Sequence, residues 1–123
     1  KIKTCFASGY GTVLFYIDRD VVDALGAQFP KFAENFSLWS QHSSAMHQFV
    51  IWTALEAEGL GASLQHYNPL IDDAVKKRWN VPQNWQLVAQ MPFGRPTEPP
   101  GHKEISAVEP RLMVCRDAGG NAG

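Results

Sequence analysis

Gln65 and His66 are the side chains best placed by type and position to hold a cofactor. They close the run Ala62-Ser-Leu-Gln-His-Tyr67, which reads as a short strand behind a long helix stopped at Gly59 and Gly61. Ligands of open α/β folds gather at the carboxyl ends of strands, where rigid backbone N–H and C=O groups are presented together. The ordinary alternative is a satisfied polar pair in a loop. Lys103 and Arg95 form a second set, flanking a Pro- and Gly-rich stretch that resists regular structure. A cation there gives charge-assisted hydrogen bonds to a phosphate, or it is simply solvated.

Other arrangements are weaker. His42 and His47 are five residues apart, not the four that puts a metal pair on one helix face, and no Glu accompanies them as in His-Glu-x-x-His. No metal site is assigned. No Gly-x-Ser-x-Gly elbow occurs, and no side chain is given a catalytic role. His47 reads as a core or interface histidine. Trp39, Trp52, Trp79 and Trp85 read as core or interface anchors. Trp39, at a helix entry beside an aromatic linker, is the one that could wall a substrate pocket.

The elements that must position these residues follow from periodicity. Gly11–Ile17 is a continuous β-branched and aromatic run, expected as a buried central strand. Asp20 is the expected cap of a helix from Val21 to about Gln28. Phe29–Phe36 is an aromatic-rich linker with its own partial helical period. A long helix is expected from Leu38 or Ser40 to Glu58, packing through Met46, Phe49, Val50, Thr53, Ala54 and Ala57. Asn68 and Pro69 should open a helix through Asp72, Val75 and Trp79. Asn80–Asn84 is a turn and Trp85–Met91 a buried strand ending in Pro92-Phe-Gly94. Ile105–Val114 is expected to include a short extended piece, and residues 115–123 form a small, flexible tail. Helices alternating with strands at these lengths indicate an α+β or α/β three-layer sandwich.

The run from Ala45 through Thr53-Ala-Leu-Glu-Ala-Glu-Gly-Leu-Gly-Ala-Ser-Leu-Gln-His-Tyr-Asn-Pro69 resembles the middle of the nitroreductase-like flavoproteins, most of all their fatty-acid-repression-mutant (Frm2-like) branch. Trp85-Gln-Leu-Val-Ala-Gln-Met-Pro-Phe-Gly-Arg-Pro96 and Pro100-Gly-His-Lys-Glu104 are similar to the same branch, so the likeness spans about Gly9 to Val114. The resemblance implies non-covalent FMN as cofactor and NAD(P)H as co-substrate. It also implies a nitroaromatic or quinone-like electron acceptor and an intertwined homodimer. It sets Gln65, His66 and Tyr67 in the segment beside the flavin and matches Lys103 to a basic residue at the phosphate. Two of the family's segments are missing: the Arg-Arg-Ser/Thr run that holds the phosphate and the Pro-Ser-x-x-Asn-x-Gln run that touches the ring. Residues 1–114 are therefore expected to be the C-terminal part of a single nitroreductase-like domain that lacks its N-terminal part. The alternative is a flavin-free regulatory or binding module, or a catalytically silent fragment linked to lipid signalling.

Composition narrows the class. The 123 residues are 45% hydrophobic and 11% aromatic, ordinary for a globular domain with a moderate core. A net charge of −1 without a basic run argues against nucleic acid. No stretch approaches the roughly 18 consecutive apolar residues of a membrane span. Cys5 and Cys115 stand near opposite ends without Cys-x-x-Cys spacing. They read as free thiols of a reducing compartment, with cytoplasm the expected location.

Overall fold

A computed structural model of the chain describes residues 7–115. Its elements, in order, are β1 (Gly11–Asp18), α1 (Arg19–Gln28), α2 (Ala33–Ala57), β2 (Gly61–Ala62), α3 (Asp72–Trp79) and β3 (Trp85–Gly94). The class is α+β. The three strands form one antiparallel sheet in the order β1-β3-β2.

β3, not β1, is the central strand. Gly11 pairs with Phe93 and Asp18 with Trp85, and the register slips between Phe15 and Tyr16 so that Val88 is passed over. Among the described residues β1 has a strand on one side only. Its apolar run misled because a strand covered by helices reads as continuously hydrophobic wherever it stands in the sheet. The core is Phe15, Ala89 and Met91, with Val13, Ile51, Leu55, Ala62 and Leu64 packed against it.

α1 starts one residue after its true cap, Asp18, whose carboxylate accepts the Asp20 N–H at 3.0 Å. Asp20 lies inside the first turn, where its charge suits the helix dipole. Part of the aromatic linker is already helical: Pro30–Phe32 makes one 3-10 turn and α2 begins at Ala33. α2 ends as expected at Gly59, which takes the left-handed φ of 75° that glycine accepts without strain. Gly59 N–H donates to Glu56 O and Leu60 N–H to Leu55 O, both at 2.9 Å, the bond pair of a Schellman stop.

The packing face of α2 differs from the expected one. Ile51 and Leu55 meet the sheet, with Gln48 and Ser44 on the same stripe. Met46, Phe49 and Val50 point outward and are 64%, 67% and 58% exposed. The helix is apolar on more than one side, so two stripes satisfy the i, i+3, i+4 pattern, and contact with the sheet selects between them. No helix among the described residues is long and apolar enough to cross a membrane.

Three further expectations are corrected. β2 contains only Gly61 and Ala62, and beyond it the expected strand keeps one isolated bridge, Gln65 to Gln90. α3 begins at Asp72, because Asn68 does not cap it; the Asn68 side chain is turned toward β3. Ile105–Val114 forms no strand; a turn closes where Arg111 N–H donates to Val108 O at 2.7 Å. The expected tail beyond Cys115, and Cys5, lie outside the described residues. Cys115 is an exposed free thiol.

Candidate functional site

The segment after β2 is held to the sheet by alternating backbone bonds. Gln65 N–H donates to Gln90 O at 2.7 Å, and Gln90 N–H donates to Gln65 O at 3.0 Å. Two residues on, Tyr67 N–H donates to the side-chain Oε1 of Gln90 at 2.9 Å. In extended chain, neighbouring residues turn their N–H and C=O groups to opposite edges. His66, between these two anchors, therefore presents its backbone away from β3, and among the described residues no backbone hydrogen bond engages it. His66 is exposed, while Gln65 and Tyr67 are half-buried. The Gln65 carboxamide is fixed in turn, Nε2 donating to Ser63 Oγ at 2.6 Å.

A second polar group lies behind this segment. Asn68 Nδ2 donates to Asp72 Oδ1 at 2.7 Å and to Leu87 O at 2.9 Å. Nearby, Tyr16 Oη is buried with no hydrogen-bond partner among the described residues. Burial, and secondarily the Asp72 carboxylate, push its phenol above the ordinary 10.0. An unpartnered buried hydroxyl costs stability, so Tyr16→Phe should hold or raise the unfolding free energy, by up to about 1–3 kcal/mol. The pH sign is fixed by linkage. The unfolded phenol ionises first, so the wild type loses stability as pH rises from the unfolded value through the raised folded one. Tyr16→Phe should lack that part of the alkaline decline, as checked by urea melts at neutral and strongly alkaline pH. A lower neutral-pH stability in the variant would mean the hydroxyl has a partner.

Two of the clefts beside the sheet involve candidate residues. One, of about 470 Å³, lies where β2 meets the end of β3 and is lined by Gly61, Ala62, Ser63, Phe93, Gly94, Arg95 and Glu98, with Ser8 and Gly9. Gly94 is closely packed there: a Cβ would come within 3.2 Å of Gly9 Cα and 3.1 Å of Tyr10 N, so a side chain would have to push that backbone aside by a few tenths of an ångström. The other, of about 700 Å³, is mainly apolar and runs between β1, α1 and α2. Trp39 and His47 line it, and the aromatic linker supplies its rim through the edge-on contact of Phe36 with Trp39 at 5.3 Å. His47, itself exposed, also packs edge-on against the core residue Phe15 at 6.0 Å.

Gln65, His66 and Tyr67 are thus brought together on one anchored segment. Lys103 is exposed on the irregular stretch past β3, placed by no helix or strand. Arg95, the lesser of the two candidate cations in the sequence, is the one that lines a cleft. Sequence reasoning missed Gln90. Its signal was a polar residue inside the otherwise apolar run Leu87-Val-Ala-Gln-Met91.

Residues 2–95 match the nitroreductase family. Saccharomyces cerevisiae HBN1 is 43% identical over 94 residues, covering 76% of this chain and 48% of that protein. The nitroreductase FRM2 of the same yeast is 38% identical over 101 residues, covering 82% and 51%. The chain spans about half the length of the curated relatives it matches. Among solved structures, the Lactococcus lactis nitroreductase CinD in complex with 4-nitrophenol superposes with a TM-score of 0.87 at 45% identity, covering 90% of this chain and 59% of that one. The same enzyme has been solved with chloramphenicol and with nicotinic acid. A Saccharomyces cerevisiae nitroreductase superposes with a TM-score of 0.65 at 37% identity, covering 72% and 49%.

Proposed function

The chain belongs to the nitroreductase family, whose members are oxidoreductases, and on that premise we propose that it is part of an FMN-dependent NAD(P)H oxidoreductase reducing nitroaromatic or quinone-like acceptors. The observation that carries this reading is the anchored segment Gln65–Tyr67. It turns the His66 N–H and C=O to an open edge while both neighbours are tied to Gln90. A flavin pyrimidine edge alternates acceptor, donor and acceptor, and a free N–H beside a free C=O on a fixed segment is the complementary set. The donor set therefore fits the group. Gln65, His66 and Tyr67 would hold the ring edge, and Lys103, with Arg95 beside the β2–β3 cleft, would supply charge to the phosphate.

A bound flavin would supply the redox chemistry between a reduced nicotinamide and the acceptor. The chain's own residues orient and exclude. The segment fixes the ring edge, and the Trp39–Phe36 rim offers flat apolar surface to an aromatic acceptor. The nitroaromatic ligands of the Lactococcus enzyme support that acceptor class. The outward apolar face of α2 supports a homodimer, and the exposed thiol of Cys115 suits a cytoplasmic location. Residues 1–114 act here as the C-terminal part of one such domain.

The full-length gene product should be yellow and release FMN on heating. A colourless protein that takes up no added FMN would overturn the reading. Lys103→Ala removes a charge-assisted hydrogen bond of about 1.5–3 kcal/mol and should weaken FMN by about one to two decades in a fluorescence titration. Unchanged affinity would move the phosphate role to Arg95 or to the family's Arg-Arg-Ser/Thr segment.

A further inference from the structure

Gln90 stands on the central strand with 4% of its surface exposed, and its side chain does work that strand pairing ordinarily does. Gln65 and Gln90 exchange both backbone bonds. In an unbroken antiparallel ladder the next such pair would be Tyr67 with Val88. That pair does not form. Val88 is the residue skipped in the register with β1, and the Tyr67 N–H goes to Gln90 Oε1 instead. The other end of the same carboxamide, Nε2, donates to Asn68 Oδ1 at 3.0 Å. One residue thus makes four hydrogen bonds to the stretch Gln65–Asn68, two from its backbone and two from its side chain.

The physical consequence is specific. A backbone ladder would have drawn Tyr67 flat against the sheet. A side-chain amide reaches farther, so the chain departs from the sheet at His66 and yet is pinned on both sides of it. With the carboxamide removed, the Tyr67 N–H loses its partner and nothing in the ladder replaces it.

On the flavin reading above, we propose that Gln90 is a positioning residue for the cofactor. It sets the conformation of the His66 backbone through Tyr67 and Asn68 without touching the ring itself. The class of ligand it serves is a planar heterocycle with an acceptor–donor–acceptor edge.

Gln90→Met tests this, because methionine keeps the length and volume and removes both side-chain hydrogen bonds. In the full-length gene product the expected result has three parts. FMN binds about tenfold more weakly. The visible spectrum of the bound flavin moves toward that of free flavin. Amide exchange quickens at Tyr67 and its neighbours while the rest of β3 stays protected. A folded variant with wild-type affinity, spectrum and exchange overturns the proposal. So does exchange that quickens across the whole sheet with an unmoved spectrum, which is the signature of a purely structural glutamine.

If Gln90→Met does not fold, Asn68→Ala removes the Nε2 partner together with the Asn68 bonds to Asp72 and Leu87, and Asp72→Ala, which breaks one of those bonds and leaves the Gln90 contacts in place, is the control against which it is read. Faster exchange confined to residues 65–68 supports the proposal, and none overturns it. A wild-type protein that takes up no FMN would defeat the flavin reading alone. The exchange measurement on the flavin-free protein would still decide whether Gln90 fixes this segment.

Discussion

Phe49→Glu is expected to abolish the homodimer proposed above and leave monomers. Phe49 is 67% exposed on α2 and continues a stripe with Leu38, Met46 and Val50 along a helix of 25 residues. At 1.5 Å per residue this helix is roughly 37 Å long. Monomers rarely expose an apolar strip of that kind, and a helix apolar on more than one side is normally covered on each of them. A two-fold interface uses the same patch on both subunits, so one substitution buries two carboxylates. Each unpaired charge costs about 2–5 kcal/mol, which weakens the dimer by at least about three decades. Light scattering after size exclusion at micromolar protein should show the mass halved, with Phe49→Leu as the control that remains a dimer. A dimeric Phe49→Glu protein would place the interface elsewhere.

Met91→Ala should produce the largest loss of stability. Met91 is fully buried at 0% exposure, in contact with the Phe15 and Ala89 core. Truncating it removes apolar burial and leaves a cavity that the sheet and α2 close only in part. Core truncations of this kind cost about 2–5 kcal/mol, a large share of the roughly 5–15 kcal/mol that holds a domain together. Thermal melting should fall by roughly 10–20 °C. Met91 follows Gln90 on β3 and points to the opposite face, as strand alternation requires. On the proposed flavin reading, the variant should therefore lose stability while its folded fraction keeps the spectrum of the FMN-loaded protein, the reverse of the expectation for Gln90→Met. A loss below about 1 kcal/mol would mean the core repacks around the gap.

What the sequence determined alone was local. Gly59 ends a helix because a left-handed residue is cheapest without a Cβ, and that is visible in one residue and its neighbours. The run Gly11–Ile17 specifies a strand through β-branched and aromatic side chains, and Trp85–Met91 another as a short apolar run between turn residues. The motif Leu64-Gln-His-Tyr-Asn-Pro69, joined to Met91-Pro-Phe-Gly94, indicates the family. The candidate segment Gln65–Tyr67 is proposed from the same motif and from its place after the helix stop, although the strand expected there shrinks to Gly61–Ala62 and one bridge.

The tertiary structure decided everything that depends on residues far apart in the chain. β3 is central because Asp18 meets Trp85 and Gln65 meets Gln90. No window of sequence contains both members of those pairs. Asp18 rather than Asp20 caps α1, and the same carboxylate also accepts a hydrogen bond from Asn84 Nδ2 at 2.8 Å across the fold. The inner face of α2 was a choice between two apolar stripes, settled by the core it packs against. Asn68 looked like a helix cap because Asn often is one; in the fold its side chain is claimed by Gln90, Asp72 and Leu87. Gln90 itself was one polar letter in an apolar strand. Only when the segment from Gln65 to Asn68 folds over it does its buried carboxamide gain partners, because hydrogen-bond satisfaction in a core is a property of the packed state.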